Sequence, residues 1–414
     1  MRRHLSSVSL LSVAATVLAQ EPSCAASSSS ALSFAHGEAS LTIATGAPPP
    51  SDLAVPIRGR SRLVYSWHSA LPEHIRSPTT DAFPLVARAD DASANLTDYA
   101  AAAAALLAER LIPHGAVLFR GLPLADGAAY GEFVEALQAH DGWTAVKLGG
   151  GGTQRKDVSL NVRTASEEPD EHTIEPHGDM AHSVAHPKRI GFFCAAGPPP
   201  GAGGETVLTD MRAVHATLEA QGVPQAFEAH GGVAYVKRLW SAEHVNHSYT
   251  WQVCASTLCD DHPLPHSPTL SHALPTAPTL SRPHPLPPPL TLPRPARRLL
   301  LCPWQTFFFT TELEEAVGEV RKRDPHAAVD AAAGTIDYRE VLPVRHAHPK
   351  TGEPLWFNGV HTNHRSYYLE AQHVDTTAGS PMDTEYADGS PIDEGVIATI
   401  RAAYWNHSVA VRGG

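Results

Sequence analysis

The sequence predicts a globular chain of buried strands with flanking helices, and three observations carry that prediction. Short apolar runs recur between glycine and proline punctuation, the pattern of buried strands separated by turns. The segments between them open on capping residues and space apolar side chains three and four positions apart, as helices lying on a core do. At 414 residues and 43% hydrophobic composition, the chain can fill one large core or two small ones.

Arg2, Arg3 and His4 form a basic start, Leu5 to Leu18 an apolar, serine-rich run, and Val17-Leu18-Ala19 a small-residue end suited to a signal peptidase. Residues 1–19 are therefore expected to be a signal or transit peptide, with a plain disordered tail as the bland alternative. The expected location is the secretory pathway or an organelle. Sequons at Asn95-Leu96-Thr97, Asn246-His247-Ser248 and Asn406-His407-Ser408 arise too easily by chance to decide it. Residues 20–51, rich in Ala, Ser and Pro and containing Pro48-Pro49-Pro50, are expected to be a disordered linker.

From residue 52 to 414 the composition is that of a folded domain. The chain's formal charge of -12 and its lack of dense Lys/Arg clusters past residue 70 argue against a nucleic-acid partner. No apolar run after the N-terminus approaches the roughly 18 residues that a membrane span needs. Cys24, Cys194, Cys254, Cys259 and Cys302 make an odd count without a matched metal spacing, so neither a disulfide framework nor a zinc finger is expected.

Taken in order, Thr97 or Asp98 can cap a helix over Ala100–Arg110, and Pro113-His114-Gly115 turns the chain into a strand, Ala116–Phe119. A second helix is expected over Tyr130–Ala139. Ile190–Cys194 is short and apolar enough for a buried strand, followed by a loop at Gly197–Gly204. Asp210 can cap a helix with Met211, Val214 and Leu218 on one face, stopped by Gly222 and Pro224. Gly232–Val236 returns as a strand.

Residues 253–305 obey none of these patterns. They hold a dense run of prolines, three of the 5 cysteines and a degenerate repeat, Ser/Ala-Pro-Thr-Leu-Ser, so they are expected to be a low-complexity insert rather than a packed element. Deleting them fuses Tyr249-Thr250-Trp251-Gln252 to Thr306-Phe307-Phe308-Phe309, which reads as ordinary strand and loop. Every valine codon begins GT and one glutamine codon ends AG, so the insert has the form of an in-frame translated intron. Beyond it, Thr311-Glu312-Leu313-Glu314 is a capping box for a helix to about Arg323, with Leu313, Ala316, Val317 and Val320 inward. Val341–His346 and Pro354–Phe357 flank a turn signal and predict a hairpin. Asp393 caps a last helix through Val396, Ile397 and Ile400, and a further strand begins near Val409.

His177-Gly178-Asp179 sets an imidazole and a carboxylate one residue apart, with no side chain between them to hinder convergence on one metal. That mixture suits non-haem iron(II), held by two His and one carboxylate with positions left open. Taken alone the triplet is weak, since hydrogen-bonded or surface residues give the same letters in a chain with 25 histidines. Its neighbours strengthen it: Glu175-Pro176 before, Met180-Ala181-His182 after, then Pro187 and Gly203-Gly204-Glu205-Thr206. Gly115–Gly121 upstream and His348-Pro349, Thr351-Gly352-Glu353 and Trp356-Phe357-Asn358 downstream complete an ordered set.

This set resembles the TauD/TfdA, or taurine dioxygenase-like, family of iron(II)/2-oxoglutarate-dependent oxygenases, most closely its clavaminate synthase-like branch. The resemblance covers roughly residues 80–250 and 306–412. It implies a double-stranded β-helix, or jelly-roll, with its last strands missing. It implies His177 and Asp179 as iron ligands and catalytic residues, and Thr206 as the hydroxyl that binds a carboxylate of 2-oxoglutarate; a locally satisfied strand-edge hydroxyl is the alternative for Thr206. The implied activity is dioxygenase chemistry of the hydroxylase type, using Fe(II), 2-oxoglutarate and O2 on a small-molecule or amino-acid-like substrate.

The family pattern also has a distal His and, beyond it, an Arg that pairs with 2-oxoglutarate, and this sequence shows neither. The alternative expectation is thus a catalytically inert binding protein, or an incomplete gene model, on the same scaffold. His361 and His364 follow Trp356-Phe357-Asn358 at a position that is not a ligand position, so a polar lining role is expected over a surrogate ligand. His407 reads as a sequon neighbour, and Arg412 precedes the place where the missing His belongs. Asn161 and Arg163 are candidates for substrate contact or for a structural polar role. Glu167, Glu168, Asp170 and Glu171 read as a solvated loop.

Overall fold

The computed structural model describes residues 31–44, 83–90, 93–144, 156–165, 174–184, 186–197, 204, 206–241, 297–298, 304–308, 310–369, 374–375 and 382–411. The expected signal or transit peptide, the acidic run at 167–171 and nearly all of the insert lie outside these residues.

The first half runs β1 (Ala31–His36), β2 (Ala39–Ala44), β3 (Leu85–Ala89), α1 (Leu96–His114), β4 (Val117–Arg120), α2 (Gly127–Asp141), β5 (Asp157–Ser159) and β6 (Val162–Arg163). After an irregular stretch come β7 (Thr206–Thr209), α3 (Met211–Ala220), α4 (Val223–Ala229), β8 (Val233–Trp240) and the two-residue β9 (Arg297–Arg298). Then follow α5 (Trp304–Phe308), α6 (Leu313–Arg321), β10 (Ala328–Asp330), β11 (Thr335–Leu342), β12 (Arg345–Ala347) and β13 (Pro354–Trp356). The chain continues through α7 (Val360–Asn363), α8 (Ser366–Leu369), β14 (Val374–Asp375), β15 (Met382–Tyr386), α9 (Glu394–Asn406) and β16 (Ser408–Val411).

Two four-stranded sheets organise these elements, in the orders β1-β2-β3-β4 and β10-β11-β8-β15. Helices α1 and α2 cover the first sheet, and α1 buries Tyr99, Ala100, Ala102, Ala103 and Leu106 against it. Over the second sheet, α3 and α9 enclose Phe227, Tyr235, Trp356, Ile397, Ile400 and Tyr404. Each such large side chain contributes about 1.5–3 kcal/mol by leaving water. Between the sheets, β16 pairs antiparallel with β7, and Val411 packs with Val86, Leu118 and Leu208. The result is a set of sheets with flanking helices, as expected; among the described residues the sheets do not close into a barrel.

Several expectations change. Residues 31–44 form a hairpin inside the stretch assigned to a linker. Leu41 and Ile43 alternate into the first core, and Gly37, at φ 54°, makes the turn. Asn95, not Thr97 or Asp98, caps α1 by accepting from the Asp98 amide at 2.8 Å. Ile190–Cys194 is not a strand: Ile190 and Phe192 are about half exposed, and Phe193 leaves the path to stack on Tyr130 at 5.1 Å. Gly222 ends α3 yet opens α4, because Pro224 suits a first helical turn and cannot propagate the old one. In α6, Thr310 replaces the expected box, accepting from the Glu312 amide at 3.1 Å and donating to Glu315 at 2.5 Å.

Other elements match. Asp210 caps α3 with Met211, Val214 and Leu218 buried, and Asp393 caps α9 with Ile397 and Ile400 buried. Strands β12 and β13 form the expected hairpin, closed by a bond from the His348 amide to the Glu353 carbonyl at 2.8 Å. Of the insert, Trp304 and Gln305 fall inside α5, and Trp304 is buried with Leu239, Val320 and Ile336. Cys194 is a free, exposed thiol.

Candidate metal centre

The segment carrying His177 has no ladder to hold it, so side chains from distant elements fix its backbone. Buried Glu175 accepts from the Trp405 indole of α9 at 2.7 Å. The Pro176 carbonyl accepts from Nε2 of His361 in α7 at 2.8 Å. Local bonds, Ala181 to Gly178 at 3.2 Å and Ser183 to Met180 at 3.0 Å, then curl the chain, with Met180 in the left-handed region at φ 55°.

Against this curl lies the turn after β13. A Cβ on Gly178 would sit 2.8 Å from Cε2 of Phe357, and one on Gly359 would sit 3.2 Å from Cβ of His182. Glycine at both positions is thus a matter of contact between two segments. The Gly359 amide in turn donates to the Tyr235 hydroxyl of β8 at 2.8 Å, which ties this layer to the second sheet.

In that frame the His177 ring donates from Nδ1 to the Glu175 carbonyl at 2.7 Å. A carbonyl only accepts, so Nδ1 carries a proton, and Nε2 is the nitrogen left to face a metal. Nε2 lies 3.8 Å from Oδ1 of Asp179, and both side chains are about a third exposed. An imidazole nitrogen and a carboxylate oxygen at this separation fit a shared divalent cation of the borderline-hard kind. Among the described residues, no third His, Cys, Asp or Glu joins them in a metal-binding group.

Three other histidines around this segment are engaged by other groups. His361 is fully buried, its Nε2 engaged by Pro176, and burial pushes its pKa down to about 3. His364 bonds Ser366 through Nδ1 at 2.6 Å, and burial pushes its pKa down to about 4. His182 faces Tyr235 with ring centroids 6.2 Å apart and is held well below the usual histidine range, first by burial and then by the Lys237 charge. All three are neutral at physiological pH. His407, just past α9, bonds the Thr217 hydroxyl of α3 at 2.7 Å.

Thr206 opens β7, exposed and directly opposite Val411. Asn161 occupies the turn of the β5–β6 hairpin at φ 62°, and Arg163 pairs with Asp157 at 2.7 Å, so both have structural employment. Sequence reasoning singled out His177 and Asp179, which lie 3.8 Å apart, and expected a polar lining role for His361, but gave no role to Glu175 or Trp405. The adjacent Glu175-Pro176 was visible as a signal; the indole and imidazole that hold it lie about two hundred residues away.

Comparison with known proteins bears on this geometry. The family model described as taurine catabolism dioxygenase TauD, TfdA family matches residues 78–412. A clavaminate synthase-like protein of Arabidopsis thaliana is 32% identical over 127 residues, 30% of this chain. The match spans 36% of that relative, about a third of its length.

Proposed function

Since the chain belongs to the taurine catabolism dioxygenase TauD, TfdA family, we propose that it is an iron(II)- and 2-oxoglutarate-dependent oxygenase that hydroxylates a small, amino-acid-like molecule. The observation that carries this reading is the pair His177 Nε2 and Asp179 Oδ1, 3.8 Å apart, with the other imidazole nitrogen tied down at Glu175. These two residues would hold the iron, and the Thr206 hydroxyl would hold a carboxylate of 2-oxoglutarate. Together the bound metal and co-substrate supply the oxygen activation that attack on an unactivated carbon needs.

The chain's own contribution is positional. The Nδ1 bond to Glu175 selects the tautomer that presents Nε2 and prevents ring rotation, as outer partners of metal-bound histidines do. The Glu175 and Pro176 anchors hold the backbone from which both donors project. Phe357 packs against Gly178, between the two residues, and so limits how the curl can move. The jelly-roll, with strands completing a closed core, is the fold that accompanies this proposal.

The absence of a third donor among the described residues favours a second reading, a non-catalytic binding protein on the same scaffold. Calorimetric titration of 2-oxoglutarate with and without iron(II), followed by succinate release in air, separates them. The oxygenase reading expects iron-dependent binding that His177→Ala or Asp179→Ala weakens by about tenfold or more, together with succinate release. Iron-independent binding without succinate supports the second reading, and no binding at all sinks the first.

A further inference from the structure

The inner face of the second sheet carries a buried cation that the proposed site does not yet use. Along β8, Tyr235, Lys237 and Leu239 point to the same side, and all three are buried. Tyr338 lies directly opposite Lys237 on β11, and Met382 flanks it on β15. The ammonium sits 5.6 Å from the Tyr338 ring centroid and 6.0 Å from that of Phe307. Only 3% of Lys237 is exposed, yet its ammonium has no hydrogen bond or ion pair among the described residues.

The charges around it do not balance. Glu340, also buried, is the nearest carboxylate, and it lies 3.8 Å from the Arg323 guanidinium. Among the described residues, the charges acting on Lys237 are Glu340 and Arg323, so two cations, one of them about a third exposed, face one carboxylate. Neighbouring His182 adds none, since it is neutral, and Met382 carries none. Burial pushes the Lys237 pKa down to about 8, partly offset by Glu340, so the ammonium remains mostly charged at neutral pH. An isolated buried charge is costly, and proteins keep one where a partner arrives.

The position of this charge indicates which partner. Tyr235, about 7 Å along the strand from Lys237, bonds the turn that packs on Gly178 and faces the ring of His182. The cation thus lies on the sheet side of the same layer that holds His177 and Asp179.

We propose that Lys237 is a binding residue for a carboxylate of a small molecule held at the His177–Asp179 centre. This rests on the proposed oxygenase reading and adds to it the acidic character of the ligand. A carboxylate fits because it supplies the one missing negative charge. It has two sources, the far end of 2-oxoglutarate or the substrate itself.

The test uses the full chain with iron(II) under argon and three probes: 2-oxoglutarate, pyruvate, which lacks the far carboxylate, and succinate. Loss of a charge-assisted contact should weaken the responding probe by about tenfold or more in Lys237→Met, while Lys237→Arg stays near wild type. If 2-oxoglutarate weakens and pyruvate does not, the lysine holds the co-substrate's far carboxylate. If only succinate added to the 2-oxoglutarate complex weakens, it holds the substrate's. Equal binding of all probes by wild type and a folded Lys237→Met overturns the proposal. So does a fall in melting temperature with all three probes, pyruvate included, weakened alike, the mark of a structural lysine. Wild type that binds succinate through Lys237 but shows no iron-dependent 2-oxoglutarate binding refutes the oxygenase reading alone; wild type that binds no probe refutes both.

Discussion

At the scale of single residues, contact rather than chain flexibility explains the glycine between His177 and Asp179. Gly178→Ala would bring a methyl to 2.8 Å from Phe357, so the ring or the curl must move. The expected cost is about 1–3 kcal/mol, together with weaker iron binding, since Asp179 moves with the curl. Combining it with Phe357→Leu should recover part of both in denaturant titrations and iron-binding assays. No recovery in the double variant would show that the contact is not the cause.

Histidines set the acid limit at the same scale. His361 and His364 have folded pKa values near 3 and 4, against about 6.5 in an unfolded chain. The unfolded state therefore binds protons that the folded state refuses. The stabilisation is complete above pH 6.5 and is lost as pH falls from there toward 4. Each group costs on the order of 1 kcal/mol per pH unit in that window. Urea midpoints measured from pH 7 to 4.5 should fall, and His364→Asn should flatten the slope; an unchanged slope would count against this origin.

Among the elements, the insert is the clearest case of a boundary written twice. Trp251-Gln252 precedes residues 253–305 and Trp304-Gln305 ends them, so their deletion returns the same dipeptide to the start of α5. The tryptophan that packs with Leu239, Val320 and Ile336 is thereby retained. A chain lacking 253–305 is expected to keep the wild-type circular dichroism and a melting temperature at or above the parent's, because loop-closure entropy falls. Unfolding of the shortened chain would disprove the element's independence. Transcripts read across codons 252–306 test its origin, with uniform coverage in mature messenger RNA opposing an intron.

Legibility also varied by element, for a physical reason. Helices α3 and α9 were readable because a capping aspartate and a one-sided apolar stripe are both local properties. The hairpin at 31–44 was hidden by composition: its buried Leu41 and Ile43 alternate within a stretch dominated by Ala and Ser. Ile190–Cys194 misled in the opposite direction, being apolar enough for a strand with no strand beside it to complete a ladder.

For the molecule as a whole, the last helix supports a site that lies 230 positions earlier in the chain. Trp405→Phe keeps the packing against Phe83 and Val409 but removes the donor to Glu175, whose other oxygen already lacks a partner. A buried carboxylate left without its bond should cost about 1–3 kcal/mol, and iron affinity should fall with it. Retained iron affinity despite the stability loss would separate the anchor from the site.

The sequence by itself determined the family, the closeness of His177 to Asp179 and the capped helices α3 and α9, because each depends on residue type at short spacing. It could not determine that Glu175 and Pro176 are held by α9 and α7, or that Lys237 is buried without a hydrogen-bond or ion-pair partner among the described residues. Those facts depend on which distant surfaces meet, and only the packing of the second sheet against the metal segment decides them.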